Sequence, residues 1–127
     1  RKISSKVPNA ACDATGTKNT TKRALHYMNQ RLFDTGGKLP YGGGFPGTDY
    51  AGATMGTIAL AESGVGRKAV TKTTKYLKKS SDTWVTANGS DSPAALAMLI
   101  LLADATGENP KDFGGINLMS RLAKTRQ

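Results

Sequence analysis

From Ala94 to Ala103 the chain carries no polar side chain at all. Ser92 stands before Pro93 as a helix cap ahead of a proline in the first turn, and Gly107 follows the run as a stop; together these punctuate a helix over 92–107. A helix that is apolar on every side leaves no face for water, which predicts an inner helix. The run falls well short of the roughly 20 apolar residues needed to cross a bilayer. Other protein must therefore surround it, and the rest of the chain has to supply the wrapping.

A second segment of the same kind starts after Asp49: YAGATMGTIALAESG meets no charge before Glu62 and closes at Gly64. Three amphipathic segments alternate with these two. TKRALHYMNQRLF, from Thr20, puts Leu25, Met28 and Leu32 on one stripe. RKAVTKTTKYLKKS, from Arg67, puts Val70, Thr73 and Leu77 on one side and Lys68, Lys72, Lys75 and Lys79 on another. INLMSRLAKTRQ aligns Ile116, Met119 and Leu122. Between them lie a Gly- and Pro-rich loop over 34–47, a short polar loop holding Trp84, Asn88, Gly89 and Asp91, and the turn ENPKDFGG. Residues 1–19 have no period and read as an arm. The alternation recurs at about 40 to 50 residues, the period of helical hairpins stacked with one layer inside another. The expected fold is all-α: about two and a half antiparallel hairpins, stacked as a partial toroid or arc. Its units are 20–64, 67–107 and a half repeat over 114–127. An Arg1 start and no helix stop after Lys124 suggest a fragment or processed chain.

Several residue groups carry a resemblance to a known family. They are Ala24-Leu25 to Gln30, the Gly42 to Phe45 loop, Asp49-Tyr50-Ala51, Ala59-Leu60-Ala61 with Gly64, Ser92 to Gly107, and Asn109-Pro110 with Phe113-Gly114-Gly115 and Leu118. In these the chain resembles the prenyltransferase and squalene-oxidase repeat of the α/α-toroid superfamily, which includes terpenoid cyclases, protein prenyltransferase β-subunits and cobalamin-binding proteins. Over 20–127 it looks like the repeat proteins of actinobacterial cell envelopes. The resemblance implies a secreted or envelope location and inner helices whose starts line the mouth of a cavity. It does not carry the catalytic groups over. No acidic residues match the Asp-x-Asp-Asp motif of the cyclases, and the Asp, Cys and His of the prenyltransferase zinc site have no counterpart beyond Cys12 and His26. A closed toroid also needs more hairpins than the chain supplies.

Chemistry is sparse elsewhere too. Cys12, the single cysteine, allows no internal disulfide and no multi-cysteine metal site. His26 has no second ligand at metal-binding spacing, and no Gly-x-Ser-x-Gly elbow marks a nucleophile. The sequence thus assembles no enzyme and calls for no cofactor or metal. The loop over 36–47 lacks the Gly-Lys-Ser/Thr ending of a phosphate-binding loop and follows no strand, so it reads as a connection. Asp49 and Asp91 precede the two apolar helices, where a carboxylate caps backbone N–H groups and, in the resembling fold, can also meet a ligand. Tyr41, Phe45 and Tyr50 either form an aromatic platform at that mouth or cover the helix ends.

Charge is the strongest surface signal: 18 basic against 9 acidic side chains give a net charge of +9. The stripe of Lys68, Lys72, Lys75 and Lys79 is either a solvated outer layer or a contact for an anionic polymer. Three functions stay open. The first is a non-enzymatic repeat domain, binding or structural, with a basic face. The second is a piece of a ligand-binding or catalytic toroid, cyclase-like or cobalamin-binding. The third, ranked below the first two because no helix-turn-helix, RNA-recognition or zinc-finger pattern accompanies the charge, is a nucleic-acid module. The last amphipathic helix lacks an apolar mate, so its stripe is expected to be partly exposed or covered by another copy or segment.

Overall fold

A computed structural model describes residues 20–41 and 47–126. Five helices account for its regular structure: α1 (Thr20–Thr35), α2 (Tyr50–Ser63), α3 (Arg67–Val85), α4 (Pro93–Thr106) and α5 (Leu118–Lys124). No strand occurs among the described residues; two isolated bridges, Pro40 with Thr48 and Phe113 with Ile116, pin the loops before α2 and α5. The fold is all-α, as the periodicity predicts.

The apolar helices α2 and α4 pack against each other, with α1 and α3 against α2, and α3 and α5 against α4. α1 and α3 also touch and run in the same direction: Asn29 lies beside Gly66, Phe33 beneath Lys72, and Gly37 against Thr73 and Tyr76. The amphipathic helices thus form an outer row and the apolar ones an inner row. Small residues make this closeness possible. A Cβ on Gly56 would sit 2.6 Å from the Met28 sulfur, so with glycine there the Met28 side chain of α1 lies directly on the α2 backbone. One cluster, built on Leu32, Leu60 and Val70, fills the space between α1, α2 and α3; a second, built on Leu77, Leu96, Leu99, Leu102, Phe113 and Leu118, fills that between α3, α4 and α5. Ile58 packs against both.

Polar residues in the inner row cause no deficit, because Thr57 donates to Ala53 O at 2.6 Å and Thr106 to Leu102 O at 2.8 Å. Such bonds to the preceding turn satisfy a buried hydroxyl within its own helix. Both inner helices end as expected, with Gly64 and Gly107 in the left-handed conformation. Among the described residues no helix is long and apolar enough to cross a membrane.

Three expectations need correction. The inner helices do leave a face in water: Leu101 is 57% exposed on α4 and Met55 53% exposed on α2. An unbroken apolar run shows that a helix has no preference among its faces, not that all of them are covered. The basic helix is longer than its lysines suggest and includes Trp84. Its apparent loop residues bond to the helix itself, Ser81 donating to Leu77 O at 2.7 Å and Thr86 to Asp82 O at 2.7 Å. The last helix is shorter, starting only after Asn117 has capped Ser120 N at 3.0 Å. Ile116 precedes that helix, Met119 is exposed, and the neighbouring Leu118 is the side chain that is fully buried.

Candidate functional site

The outer face begins with α3. Val70, Thr73 and Leu77 are buried toward the core, and the helical period then turns Lys68, Lys72, Lys75 and Lys79 outward, all exposed. No acidic side chain interrupts the helix before Asp82. Alongside it, α1 exposes Lys22, Arg23 and, to 63%, Tyr27. Lys72 does not simply extend into solvent: its Nζ donates to Phe33 O at 2.9 Å and lies 4.1 Å from the Phe33 ring centroid. Its charge is thereby held at the α1–α3 seam, which joins the two helices into one surface.

At the start of the inner row, Asp49 caps α2 by accepting from Gly52 N at 2.8 Å. Tyr50 follows and stacks on two rings of α3, Tyr76 at 6.2 Å and Trp84 at 5.8 Å between centroids. Burial pushes the Tyr50 hydroxyl pKa up, and its contact with Tyr76 adds to the rise. Burial would raise Tyr76 as well, but hydrogen bonds with Thr48, Tyr50 and Ser80 outweigh it and hold that phenol below its ordinary value. Of the aromatic residues proposed from the sequence, Tyr50 is in a cluster among the described residues, and its partners come from α3. Tyr41 is 44% exposed and absent from the stack, while Phe45 lies outside the described residues.

Asp91 has a different role from Asp49. Ser92 caps α4, accepting from Ala95 N at 3.2 Å, so Asp91 is left to face α5. Arg121 grips it with both arms, donating from Nε to Oδ2 at 3.0 Å and from Nη2 to Oδ1 at 2.6 Å, and reaches Asp82 at 2.9 Å with its third nitrogen. A bidentate pair of this kind fixes orientation as well as charge. The Arg121 hydrogen bonds hold the Asp91 carboxyl below the usual carboxylate range. Because the folded-state pKa is the lower one, the pair stabilises the fold above the ordinary carboxylate pKa, and the contribution disappears as pH falls through the depressed value. Asp91→Asn should therefore flatten the acid limb of a melting-temperature profile while leaving its shape above neutrality unchanged. Superimposable wild-type and variant profiles below pH 5 would contradict the pairing.

Sequence reasoning missed Tyr76, Trp84 and Arg121 as members of these clusters, since each acts through a contact distant along the chain. Among the described residues no group of three His, Cys, Asp or Glu side chains is placed to hold a metal. No family model, curated protein or solved structure matches the chain.

Proposed function

We propose that this is a non-enzymatic helical-repeat domain that binds anionic polymers through the outer face of α1 and α3. The observation that carries the proposal is the acid-free row of Lys68, Lys72, Lys75 and Lys79 on α3, set in a chain of net charge +9. An exposed lysine is a strongly hydrated point charge without directional demands, suited to tracking a repeating phosphate or sulfate rather than reading a sequence. The resemblance to envelope repeat proteins suggests that the polymer is an extracellular one and that the protein is secreted or envelope-bound.

Anisotropy titrations of fluorescent polyphosphate and of a random-sequence DNA duplex test this. Four phosphate contacts predict a loss of roughly a hundredfold in duplex affinity between 50 and 200 mM salt. Replacing Lys68, Lys75 and Lys79 by Gln should remove most of the binding and most of the salt slope while leaving the melt nearly unchanged, since exposed substitutions away from other contacts shift stability by only about 0.5 kcal/mol; Lys72, which also bonds Phe33 O, is kept. Salt-insensitive binding, or full binding by the variant, would overturn the proposal. Sequence-selective binding to DNA would favour the nucleic-acid reading.

A second reading has one observation in its favour. Met55 and Leu101 are exposed on the two inner helices, as the cavity-facing wall of a larger α/α toroid would require. The ligand would then be a terpenoid precursor or a cobalamin, the classes the resemblance implies.

A further inference from the structure

The turn that joins α3 to α4 presents an Asn-Gly pair to solvent. Asn88, Gly89 and Ser90 are all exposed, between the end of α3 at Val85 and the start of α4 at Pro93. Gly89 has a φ of +91°, and a Cβ placed on it would meet nothing within 4 Å, so neither a side chain of its own nor a neighbour crowds that residue. Its nitrogen donates to Thr86 O at 2.9 Å. A hydrogen bond in an exposed turn exchanges readily for bonds to water, without wider unfolding. We propose that Asn88 deamidates spontaneously, mainly to isoaspartate, and that this loosens the α3–α4 connection.

The reaction needs only water. Solvent base takes the Gly89 amide proton, and the freed nitrogen attacks Cγ of the Asn88 side chain. The new N–Cγ bond closes a succinimide ring as the Cγ–Nδ2 bond breaks, and Nδ2 leaves as ammonia with the proton that the base removed. Water then opens the ring. Attack at Cγ gives aspartate on the original main chain; attack at the main-chain carbonyl gives isoaspartate, whose main chain runs through Cβ and Cγ. The main-chain carbonyl is the more reactive, because its Cα bears an electron-withdrawing nitrogen.

The other asparagines among the described residues are protected. Asn109 precedes Pro110, whose nitrogen has no proton to lose. Asn117 Oδ1 accepts from Ser120 N at 3.0 Å, and the nitrogen that would attack it, that of the buried Leu118, donates to Pro110 O at 2.9 Å. Asn29 lies inside α1, where the helix fixes the nitrogen that follows. At Asn88 both products add a negative charge to the turn that holds Asp91, one of the two carboxylates gripped by Arg121. Isoaspartate does more. It lengthens the main chain inside a turn that Ser92 N closes by donating to Val85 O at 2.9 Å, so that closure is strained as the molecule ages.

Incubation of the folded protein in mildly alkaline buffer, followed by tryptic mass spectrometry and isoaspartyl methyltransferase labelling, tests the site. The tryptic peptide 80–111 carries both Asn88 and Asn109. Asn88 should gain the mass of an amide-to-acid change, with isoaspartate exceeding aspartate and Asn109 unaltered. Gly89→Ala, which puts a methyl group beside the attacking nitrogen, should slow conversion severalfold, and the exposed, neutral Asn88→Gln should abolish it with the fold kept. Aged protein should melt below Asn88→Asp, which has the added charge without the longer chain. Retention of Asn88 while the denatured chain converts, equal conversion at Asn29 or Asn117, an unslowed Gly89→Ala, or equal melts for aged protein and Asn88→Asp would each overturn the proposal.

Discussion

Leu99→Asp should abolish the cooperative melt, whereas Leu101→Asp, two residues further along the same apolar run, should leave it within about 1 kcal/mol of wild type. Leu99 is 0% exposed, in contact with the cluster of Leu77, Leu96, Leu102 and Phe113. Ionised aspartate there would have no partner, and an unpaired buried charge costs several kcal/mol or forces the group to take up a proton. Domains of this size have only about 5–15 kcal/mol to lose. Leu101 is 57% exposed, so its aspartate stays hydrated. Thermal denaturation followed by circular dichroism distinguishes the two, with Leu99→Ala as a milder control expected to cost about 2–5 kcal/mol. An unchanged melt for Leu99→Asp would refute the inner position of α4. Equal damage from Leu101→Asp would show that its face is covered in solution, which the second reading above does not predict for the domain alone.

That contrast also marks how far the sequence could be read. Ser92, Pro93 and Gly107 define α4 locally, through a cap, a fixed φ and a left-handed stop, so its limits are legible without any tertiary contact. Which of its faces is open is not, because an all-apolar run contains no amphipathic asymmetry to read. In α3 the asymmetry is explicit: Val70 and Leu77 face inward and the lysines outward. Its C-terminal end was hidden for another reason. Ser81-Asp82-Thr83 reads as a loop, yet Ser81 is buried and bonded to Leu77 O, so polar composition there marks helix packing rather than a break.

The candidate sites divide in the same way. Asp49 caps α2 through a contact three residues away, which spacing alone anticipates. Asp91 occupies the equivalent place before α4 and would serve equally, but Ser92 takes the cap and Arg121, thirty residues on, takes the carboxylate. Tyr50 is similar, since the rings it stacks on belong to α3. The lysine row was legible because it needs no partner beyond its own helix.

The turn after α4 carries the other large mutational effect. Gly114→Ala should cost about 3 kcal/mol or more, against about 1–2 kcal/mol for Gly115→Ala. Both glycines have positive φ, +62° and +85°, so alanine is strained at either position. Only at Gly114 is there a second cost: its added Cβ would stand 2.3 Å from the Lys78 carbonyl oxygen, while nothing lies within 4 Å of one on Gly115. That carbonyl belongs to the middle of α3 and also accepts from Ser81 Oγ at 3.2 Å, so it cannot yield without disturbing the helix. The loop must give way instead, drawing Phe113 and Leu118 from the core and α5 from α4. The melting midpoint should fall further for Gly114→Ala than for Gly115→Ala, by about 2–8 °C for each kcal/mol that separates them. Amide exchange should locate the difference, with protection lost first over 113–124. Equal midpoints for the two variants would mean that Gly114 does not lie against α3 and that the turn is not the clamp holding α5 in place.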